Sequence, residues 1–445
     1  MAGHLHRKRH FTSFQIIIFG FSAVILMGSL LLMLPISSRT GQVTPFGDAL
    51  FTSASAVCVT GLVVRDTATY WSLFGQAVIL LLIQVGGLGV VTVIASFSLL
   101  SGRKISFLQR NTMREAICAP EVGGIVRLTG FILKGTFAVE LAGALIMMPV
   151  FCRDFGPRGI WMACFHSVSA FCNAGFDVLG TADAPYASLT AYVKSPVVNL
   201  TIMLLIIVGG IGFLTWDDIR THRLRLRKYK MQSKVILATT AFLILLPALF
   251  FYFSEFSELP FRERLFGSLF QSVTPRTAGF NTLDLGQMSS AGQAVMIALM
   301  LVGGSPGSTA GGMKTTTLAV LLANALAVFC RKEDAQFFGR RIEGNVIRNA
   351  STILMMYIAL FFTGALIINA AEGLPLNVCL FETASAAGTV GLTLGITPGL
   401  GLLSRCVLIL LMFFGRVGGL TLIFAALSRT SKNLSRLPQG RITVG

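Results

Sequence analysis

Four short segments, each with a single glycine, carry the residues whose chemistry matters most in this sequence. Glycine can adopt backbone angles that turn its neighbours' carbonyl groups to one side, and it has no side chain to obstruct an ion. Carbonyl oxygens collected in a ring can replace the hydration shell of a cation. We therefore predict a cation site at the backbone carbonyls of four turns. They are Val59, Thr60 and Gly61; Asn173, Ala174 and Gly175; Thr277, Ala278 and Gly279; and Thr389, Val390 and Gly391.

The segments that precede these turns repeat along with them. In three copies a phenylalanine precedes the glycine by ten residues, and in the third copy Phe270 precedes Gly279 by nine. Each segment is roughly ten to twelve residues long, which is too short to cross a bilayer and fits a re-entrant half-helix. Non-helical backbone at that depth is tolerated only where it lines a cavity or is buried in protein. A glycine pair then follows each turn in the next apolar span, at 86–87, 209–210, 303–304 and 418–419.

The composition indicates which elements hold these turns. The chain is 54% hydrophobic and 12% charged, whereas a soluble domain carries about 25% charged residues. Stretches long enough to cross the hydrocarbon core predict eight spans, at 14–35, 71–99, 128–150, 196–216, 235–253, 290–329, 351–371 and 401–427. We predict an all-α integral membrane protein in which four span–half-helix–span repeats surround a central pore of approximate fourfold symmetry.

The basic residues predict how the chain is oriented. Of the 36 Lys and Arg residues, 24 lie in the two tails and in the loops 101–127, 217–234 and 331–350. An even number of spans puts both tails on one side, and the excess of Lys and Arg makes that side cytoplasmic. The net charge of +17 is therefore interpreted as a topology signal at a lipid surface, and nucleic-acid binding is not expected.

The sixth span is interrupted by a stretch rich in glycine. Proline removes a backbone donor, and each glycine weakens a helix by roughly 1 kcal/mol relative to alanine. We predict an irregular intramembrane loop over 303–314 that gates the pore from below the third turn. Its candidate residues are Gly303, Gly304, Ser305, Pro306, Gly307, Ser308, Thr309, Ala310, Gly311, Gly312 and Lys314.

Arg416 is a charged residue in the middle of the last span. A charge at that depth costs at least about 2.5–3.5 kcal/mol, so the side chain is expected to face the protein interior and to have a partner. Two interpretations stay open: a role at the pore beside the loop, or a structural ion pair with Glu140, the obvious carboxylate within a span. The sequence assigns no role to Arg276, the basic residue in the third turn.

An enzymatic function is not expected. The run from Gly307 to Thr315 nearly matches a phosphate-binding loop, but Met313 separates Gly312 from Lys314 and no β-strand precedes it, whereas the motif requires both features. The eight cysteines form no Cys-x-x-Cys pair and are expected to be small buried side chains. No cofactor is predicted for this chain.

The repeats and loops divide the chain into nine parts. They are a basic tail 1–13, repeat 1 at 14–100, a cytoplasmic loop 101–127, repeat 2 at 128–216, a basic loop 217–234, repeat 3 at 235–330 with the loop 303–314, a cytoplasmic loop 331–350, repeat 4 at 351–427 and a tail 428–445.

Four such units in order resemble the Ktr/Trk/HKT superfamily of potassium transporters, and within it the KtrB-type membrane subunits of Ktr systems. The segments Thr274–Asn281 and Phe171–Phe176 are similar to the family's third and second filter segments, and Met33–Ile36 at the end of the first span is similar as well. The resemblance covers residues 14–445. Asn173 departs from the threonine that Thr277 and Thr389 supply in the third and fourth turns, which makes the fourfold symmetry approximate.

The resemblance implies K⁺ uptake through a channel-like pore in the bacterial plasma membrane, with K⁺ held at the carbonyls of the four turns. Glycine in all four turns implies selectivity for K⁺, and 303–314 corresponds to the loop that obstructs the family's pore, with Arg416 near it. A homodimer docked on a cytosolic nucleotide-binding ring of the KtrA/RCK type is also implied, with membrane lipids around it. The sequence leaves open whether Na⁺ is required.

Two other functions remain possible at this level. A gradient-coupled membrane carrier of a different solute usually places polar or ionisable residues in the middle of the membrane, and this sequence has few there. A membrane receptor or scaffold would not need four matched glycine turns.

Overall fold

The computed structural model describes residues 12–93, 107–117, 123–223 and 225–419, and the fold is mostly helical. The predicted tail 428–445 lies outside the described residues, as do residues 1–11 of the predicted tail 1–13 and parts of the predicted loop 101–127. The described α-helices are α1 Ser13–Met33, α2 Phe46–Val57, α3 Leu73–Leu88, α4 Phe107–Ile117, α5 Ile125–Phe155, α6 Arg158–Phe171, α7 Pro196–Gly210, α8 Phe213–His222, α9 Met231–Phe250, α10 Phe261–Val273, α11 Ser290–Met300, α12 Thr315–Phe329, α13 Gly344–Glu372, α14 Leu376–Gly388 and α15 Leu402–Val417. The described strands are β1 Gln336–Phe337 and β2 Arg340–Arg341, which pair antiparallel within the predicted loop 331–350.

The first span of each predicted repeat is a long continuous helix. Helices α1, α5, α9 with its π-helical continuation to Glu255, and α13 are 21 to 31 residues long and apolar enough to cross a bilayer. They also expose large apolar side chains such as Leu30, Leu141, Leu249 and Met355. Apolar surface on this scale is incompatible with water and fits contact with lipid or another apolar surface.

The second span of each repeat is broken, whereas the sequence predicts a break only in the sixth span. Helix α3 ends at Leu88 and α15 at Val417, and the glycines that cap them, Gly89 and Gly418, have positive φ angles of 84° and 89°. Helices α7 and α8 meet at Gly212, φ 89°, with a bend of 97°. These backbone angles suit glycine and end a helix, so the predicted spans 71–99, 196–216 and 401–427 are not single straight helices.

Each of the four short helices begins directly after a proline. Pro45, Pro157, Pro260 and Pro375 occupy the N-cap positions of α2, α6, α10 and α14. Proline has no backbone donor to lose at a helix start. These four prolines mark the starts of the four short helices and were an available sequence signal for them.

The short helices form the centre of the protein. Phe51, Phe165, Phe270 and Phe381, one from each, are fully buried. The long first spans pack against them, for example α1 on α2 and α5 on α6. The equivalent glycines in these contacts indicate the internal repeat: Gly28 packs on Ser53 as Gly143 packs on Ser167, and neither position has room for a Cβ atom.

Candidate functional site

The structure brings the four turn glycines together in sequence order around a closed ring. A Cβ atom added to any of them would fall close to the carbonyl oxygen of the residue that precedes the next glycine; at Gly61 it would lie 2.5 Å from the Ala174 oxygen. The ring closes because the fourth glycine meets the carbonyl of the first turn. The four contacts join Gly61 to Ala174, Gly175 to Ala278, Gly279 to Val390 and Gly391 to Thr60. The four glycines and the four residues that directly precede them therefore form this ring, and the other four predicted turn residues directly adjoin it in the chain.

Every turn has two residues with positive φ, not one. The glycines have φ between 70° and 94°, and the residue two positions earlier has φ between 51° and 67°. Those earlier residues are Val59, Asn173, Thr277 and Thr389. Positive φ is a true outlier for a β-branched residue, and such strain concentrates at functional sites. The sequence indicated the glycines but gave no sign of the strain beside them.

A hydroxyl group from each short helix supports its turn. The Gly61 amide donates to Ser55 Oγ at 3.1 Å, and the Gly391 amide donates to Ser385 Oγ at 3.0 Å. In the other two turns the hydroxyl donates to the carbonyl of the residue after the glycine, and Ser169 Oγ lies 2.7 Å from the Phe176 oxygen. Thr274 makes the equivalent bond. These supporting hydroxyl groups could have been predicted from the sequence, because a Ser or Thr occurs five or six residues before each turn glycine.

Asn173, which breaks the sequence pattern of the turns, links two of them. Its Nδ2 donates to the Arg276 carbonyl in the third turn at 3.1 Å. Arg276 itself points away to Thr240 of α9, to which it donates at 3.2 Å, and it is buried. The departure from threonine at this position thus creates a contact between neighbouring turns.

A cavity of about 180 Å³ opens beside the four glycines. Its lining includes all four of them together with the carboxyl residues Asp66 and Asp177. Asp66 is held by the Thr69 and Tyr186 amides, at 2.8 and 2.9 Å. Burial raises the pKa of the Asp177 carboxyl to about 7, and the neighbouring Asp66 carboxylate adds to the rise. The mouth of the ring therefore carries negative charge that varies near neutral pH.

The predicted loop 303–314 is irregular backbone and is anchored on the broken second spans. The Ser305 amide donates to the Gly210 carbonyl at 2.9 Å, and the Gly312 amide donates to the Gly415 carbonyl at 3.1 Å. The ends of the loop are joined by the Gly303 amide, which donates to the Met313 carbonyl at 2.8 Å. The breaks in the second spans free the carbonyls that hold this loop, so the two departures from regular helix satisfy each other.

The loop also contacts the turns of the ring. Thr309 Oγ1 lies 3.0 Å from the Phe171 carbonyl oxygen and 3.3 Å from Asn173 Oδ1. Gly311 has no room for a Cβ atom because the Thr389 side chain lies against it. On its other side the loop lines a cavity of about 290 Å³ together with Lys314 and Arg416. The loop thus lies between the second and fourth turns and this cavity.

Arg416 binds the loop to the first repeat. Its guanidinium donates to the Thr309 carbonyl of the loop, to the Gly86 carbonyl and, at 3.0 Å, to the Gly87 carbonyl. The alternative ion pair with Glu140 is not formed; Glu140 instead contacts Gln84 and Cys172. Lys314 donates to two carbonyls within the loop, that of Ala310 at 2.8 Å among them.

The register of the fourth repeat differs from the prediction. Gly86 and Gly415 pack on the equivalent carbonyls of Val57 and Ala387, each four residues before its turn glycine. Gly415 therefore corresponds to Gly86, and the pair 418–419 lies three residues too far along. With this correction Arg416 occupies the position that Gly87 has in the first repeat, which explains why it reaches the loop.

The fold and site define a class of protein: a multi-pass membrane protein in which four short helices lead into four glycine turns that adjoin one another in a ring. The family model described as TrkH, cation transport protein, matches residues 3–436. The chain belongs to this family of cation transport proteins.

Two relatives with established names match the chain over nearly its whole length. It is 41% identical to the potassium/sodium uptake protein NtpJ of Enterococcus hirae, covering 96% of this chain and 95% of that protein. It is 38% identical to the Ktr system potassium uptake protein B of Bacillus subtilis, covering 98% and 97%. The crystal structure of the potassium transporter TrkH from Vibrio parahaemolyticus superposes with a TM-score of 0.74 at 19% identity, covering 95% of this chain and 86% of that one, and it supports the fold alone.

Proposed function

We propose that this chain mediates K⁺ uptake through a channel-like pore whose selectivity filter is the ring of four glycine turns. One observation carries the proposal: the four glycines follow one another in a closed ring in which each adjoins the carbonyl of the next turn. Carbonyl oxygens at such a ring can take the place of the water around a K⁺ ion. K⁺ is the transported ion in this proposal, held at the backbone carbonyls of the twelve turn residues.

The names of the relatives support the choice of ion. Both the Enterococcus hirae and the Bacillus subtilis proteins are potassium uptake proteins by name, and the former name includes sodium. We infer K⁺ as the main substrate, and Na⁺ as either a weaker substrate or an activating ion. The carboxylates at the mouth of the ring fit the attraction of a cation of either kind.

The loop 303–314 is the proposed gate. It lies against Asn173 and Thr389 of the filter turns, and Arg416 holds it to the first repeat. A guanidinium beside the ion path also adds an electrostatic barrier to cations. Movement of the loop away from the turns would open the path, and deletion of residues 307–312 should increase ion flux.

We further propose that the chain works with a partner in the cytoplasm. Three relatives are named as parts of a Ktr system, which supports a chain that works within a multi-component system. The partner in this proposal is a cytosolic nucleotide-binding ring of the KtrA/RCK type, on which a homodimer of the chain docks. The basic loops 101–127, 217–234 and 331–350 are the proposed docking surface, with both termini cytoplasmic in a bacterial plasma membrane. The nine-part division of the chain given above is part of the same proposal.

Flux measurements on the purified protein in liposomes test the function. Vesicles loaded with KCl and containing the protein should accumulate ⁸⁶Rb⁺, a K⁺ congener, from an outside solution of low K⁺. External K⁺ should compete with this uptake far better than Na⁺. Expression in a bacterial strain without K⁺ uptake systems should also restore growth at low K⁺.

The alternative of a carrier for another solute predicts a different result. A gradient-coupled carrier would show no ⁸⁶Rb⁺ accumulation unless its solute or coupling ion were supplied. Absence of ⁸⁶Rb⁺ uptake in vesicles with correctly folded protein, under every Na⁺ concentration tried, would rule out the proposed function.

A further inference from the structure

Glu140 is a buried carboxyl residue inside the membrane that the proposed pore does not use. It lies in the long helix α5 and is 5% exposed. Among the described residues, no Lys or Arg lies within ion-pair distance of its carboxyl group. An ionisable residue at this depth is costly and usually has a functional reason.

The partners of Glu140 are two polar side chains from two other helices. Gln84 Nε2 in α3 donates to Glu140 Oε2 at 3.3 Å. Cys172 Sγ, at the end of α6, lies 3.9 Å from Glu140 Oε1 and 3.6 Å from Gln84 Oε1, so its thiol proton can be shared between the two oxygens. These three side chains, the Gln84–Glu140–Cys172 triangle, join the first repeat, the second repeat and the second turn.

Cys172 connects the Gln84–Glu140–Cys172 triangle to the second turn, because it directly precedes Asn173 in the chain. It is the C-cap of α6, and its amide donates to the Val168 carbonyl. It also packs on Gly87, where a Cβ atom would lie 2.6 Å from its sulfur. Cys172 is thus held between the carboxyl of Glu140 and the backbone of the first repeat, and the positive-φ residue Asn173 follows in the chain.

Helix α5 holds the same segment at a second point. Ser167 Oγ, one turn earlier in α6, donates to the Glu140 backbone carbonyl at 2.5 Å. Glu140 therefore fixes α6 through both its backbone and its side chain. In the first repeat the corresponding serine, Ser53, donates to the carbonyl of Ile25, an apolar residue. The contacts of the Glu140 side chain therefore distinguish the second repeat from the first, and the turn of the second repeat also contains the atypical Asn173.

A site for a coupling proton or ion is the other use that a membrane carboxyl could have. Glu140 lines neither the cavity at the mouth of the ring nor the cavity below the loop. Both of its carboxyl oxygens already face hydrogen-bond donors. The geometry therefore favours a supporting role over ion binding.

We propose that Glu140 is a positioning residue for ion selectivity: through Gln84 and Cys172 it holds the second filter turn in the conformation that discriminates K⁺ from Na⁺. The proposal rests on the proposed function. Substitution of Glu140 should act on selectivity rather than on the presence of transport, because the residue contacts Cys172, which directly precedes the turn, and does not line the cavity beside the four glycines.

The test compares three variants in the ⁸⁶Rb⁺ flux assay, with competition by K⁺ and by Na⁺. E140A removes the acceptors of both Gln84 and Cys172 and should lower the preference for K⁺ over Na⁺ by at least about fivefold, which is the effect of a single lost buried hydrogen bond. E140Q keeps an acceptor and the shape of the side chain, and should retain most of the preference. L141A, at a lipid-facing neighbour on the same helix that is 61% exposed, should match the wild type.

A double-mutant cycle separates positioning from loss of packing. C172A should reduce the same preference, and E140A combined with C172A should cause little further loss, because both act through one contact. Wild-type selectivity in a folded E140A protein would overturn the proposal, as would additive losses in the double variant. Loss of all Na⁺- or proton-coupled transport in E140Q would instead assign Glu140 to ion coupling. If the wild type itself shows no ⁸⁶Rb⁺ flux, the proposed function is wrong, and the positioning role of Glu140 fails with it.

Discussion

The hydroxyl of Thr309 in the intramembrane loop lies 3.3 Å from Oδ1 of Asn173 in the second turn. The same hydroxyl lies 3.0 Å from the Phe171 carbonyl at the end of α6. A residue of the proposed gate therefore contacts a residue of the proposed filter directly. In the proposed gating the loop breaks this contact when it moves, and the contact therefore contributes to the stability of the proposed closed state.

Replacing Thr309 with valine should increase ion flux. Valine keeps the shape but removes the hydroxyl, and one hydrogen bond of about 1 kcal/mol corresponds to roughly a fivefold shift in an equilibrium between closed and open states. Initial ⁸⁶Rb⁺ uptake into liposomes measures the change. T352V, at an exposed threonine of α13 that bonds only within its own helix, is the matched control and should not change uptake. Equal uptake by T309V and the wild type would show that this contact does not limit opening.

Replacing Gly391 with serine should reduce selectivity for K⁺ over Na⁺. The position has φ 92°, and a Cβ atom there would collide with the Thr60 carbonyl. G41S provides the control, because Gly41 also has positive φ, 70°, but has open space around it. We expect a loss of at least about tenfold in the K⁺ preference of G391S, measured by competition in the flux assay, and none in G41S. A similar loss in both variants would attribute the effect to backbone strain away from the ring.

The sequence was sufficient to predict the four turns because each one needs glycine for a local reason that its spacing reveals. It was also sufficient to predict the irregular loop, since proline and several glycines in an apolar stretch leave few alternatives. The family assignment from Gly175, Gly279 and the residues around them is confirmed by the family match. The filter and gate roles of these residues stay predictions.

Contacts between distant segments could not be predicted from sequence alone. The family resemblance placed Arg416 near the loop, where it contacts Thr309, but nothing in the sequence indicates its contact with Gly87, which depends on how α15 is rotated. The Gly418–Gly419 pair was misleading for the same reason: a glycine pair is a common helix-packing signal, and only packing on Ala387 identifies Gly415 as the equivalent residue. The sequence did not predict the breaks at Gly89, Gly212 and Gly418, because a helix usually tolerates a single glycine inside an apolar run.

Replacing Arg416 with glutamine should also increase flux, and more than T309V does. Arg416 donates to carbonyls of the loop and of the first repeat, and glutamine is too short to span both and carries no charge. Loss of several hydrogen bonds and of the cationic barrier should raise ⁸⁶Rb⁺ uptake by roughly tenfold or more. R348Q, at an exposed arginine of α13, is the control. Lower uptake in folded R416Q than in the wild type would contradict a closing role for the guanidinium.

Uptake should depend on external pH through Asp177. Its carboxyl has a pKa raised to about 7 by burial and by the Asp66 carboxylate, so it is largely neutral at pH 6 and largely ionised at pH 8. The negative charge at the mouth attracts cations, and ⁸⁶Rb⁺ uptake at low concentration should therefore rise by about twofold from pH 6 to pH 8. D177N should remain at the lower rate across this range. A pH profile in D177N that equals the wild-type profile would assign the titration to another group.

Asp48 should contribute to stability by joining the first and fourth repeats. It is buried in the first turn of α2, and its carboxylate pairs with Arg405 of the fourth repeat at 2.7 Å and with Arg65 of the first at 2.8 Å. Arg405 is 23% exposed and Arg65 46%, so screening by water weakens the second pair more. D48N leaves two arginines without their carboxylate and should cost about 2 kcal/mol, between the values for exposed and buried pairs.

Thermal unfolding of the purified protein in detergent measures this effect, with R405Q and R65Q compared with D48N. R405Q should lower the transition temperature more than R65Q, because its ion pair is less exposed and joins two repeats that are far apart in the chain. R341Q is the control, since its pair with Asp334 is exposed and distances there are longer, 3.5 Å. If R65Q proved as destabilising as R405Q, the connection between the first and fourth repeats would not be the source of the stability, and the local pair within the first repeat would be.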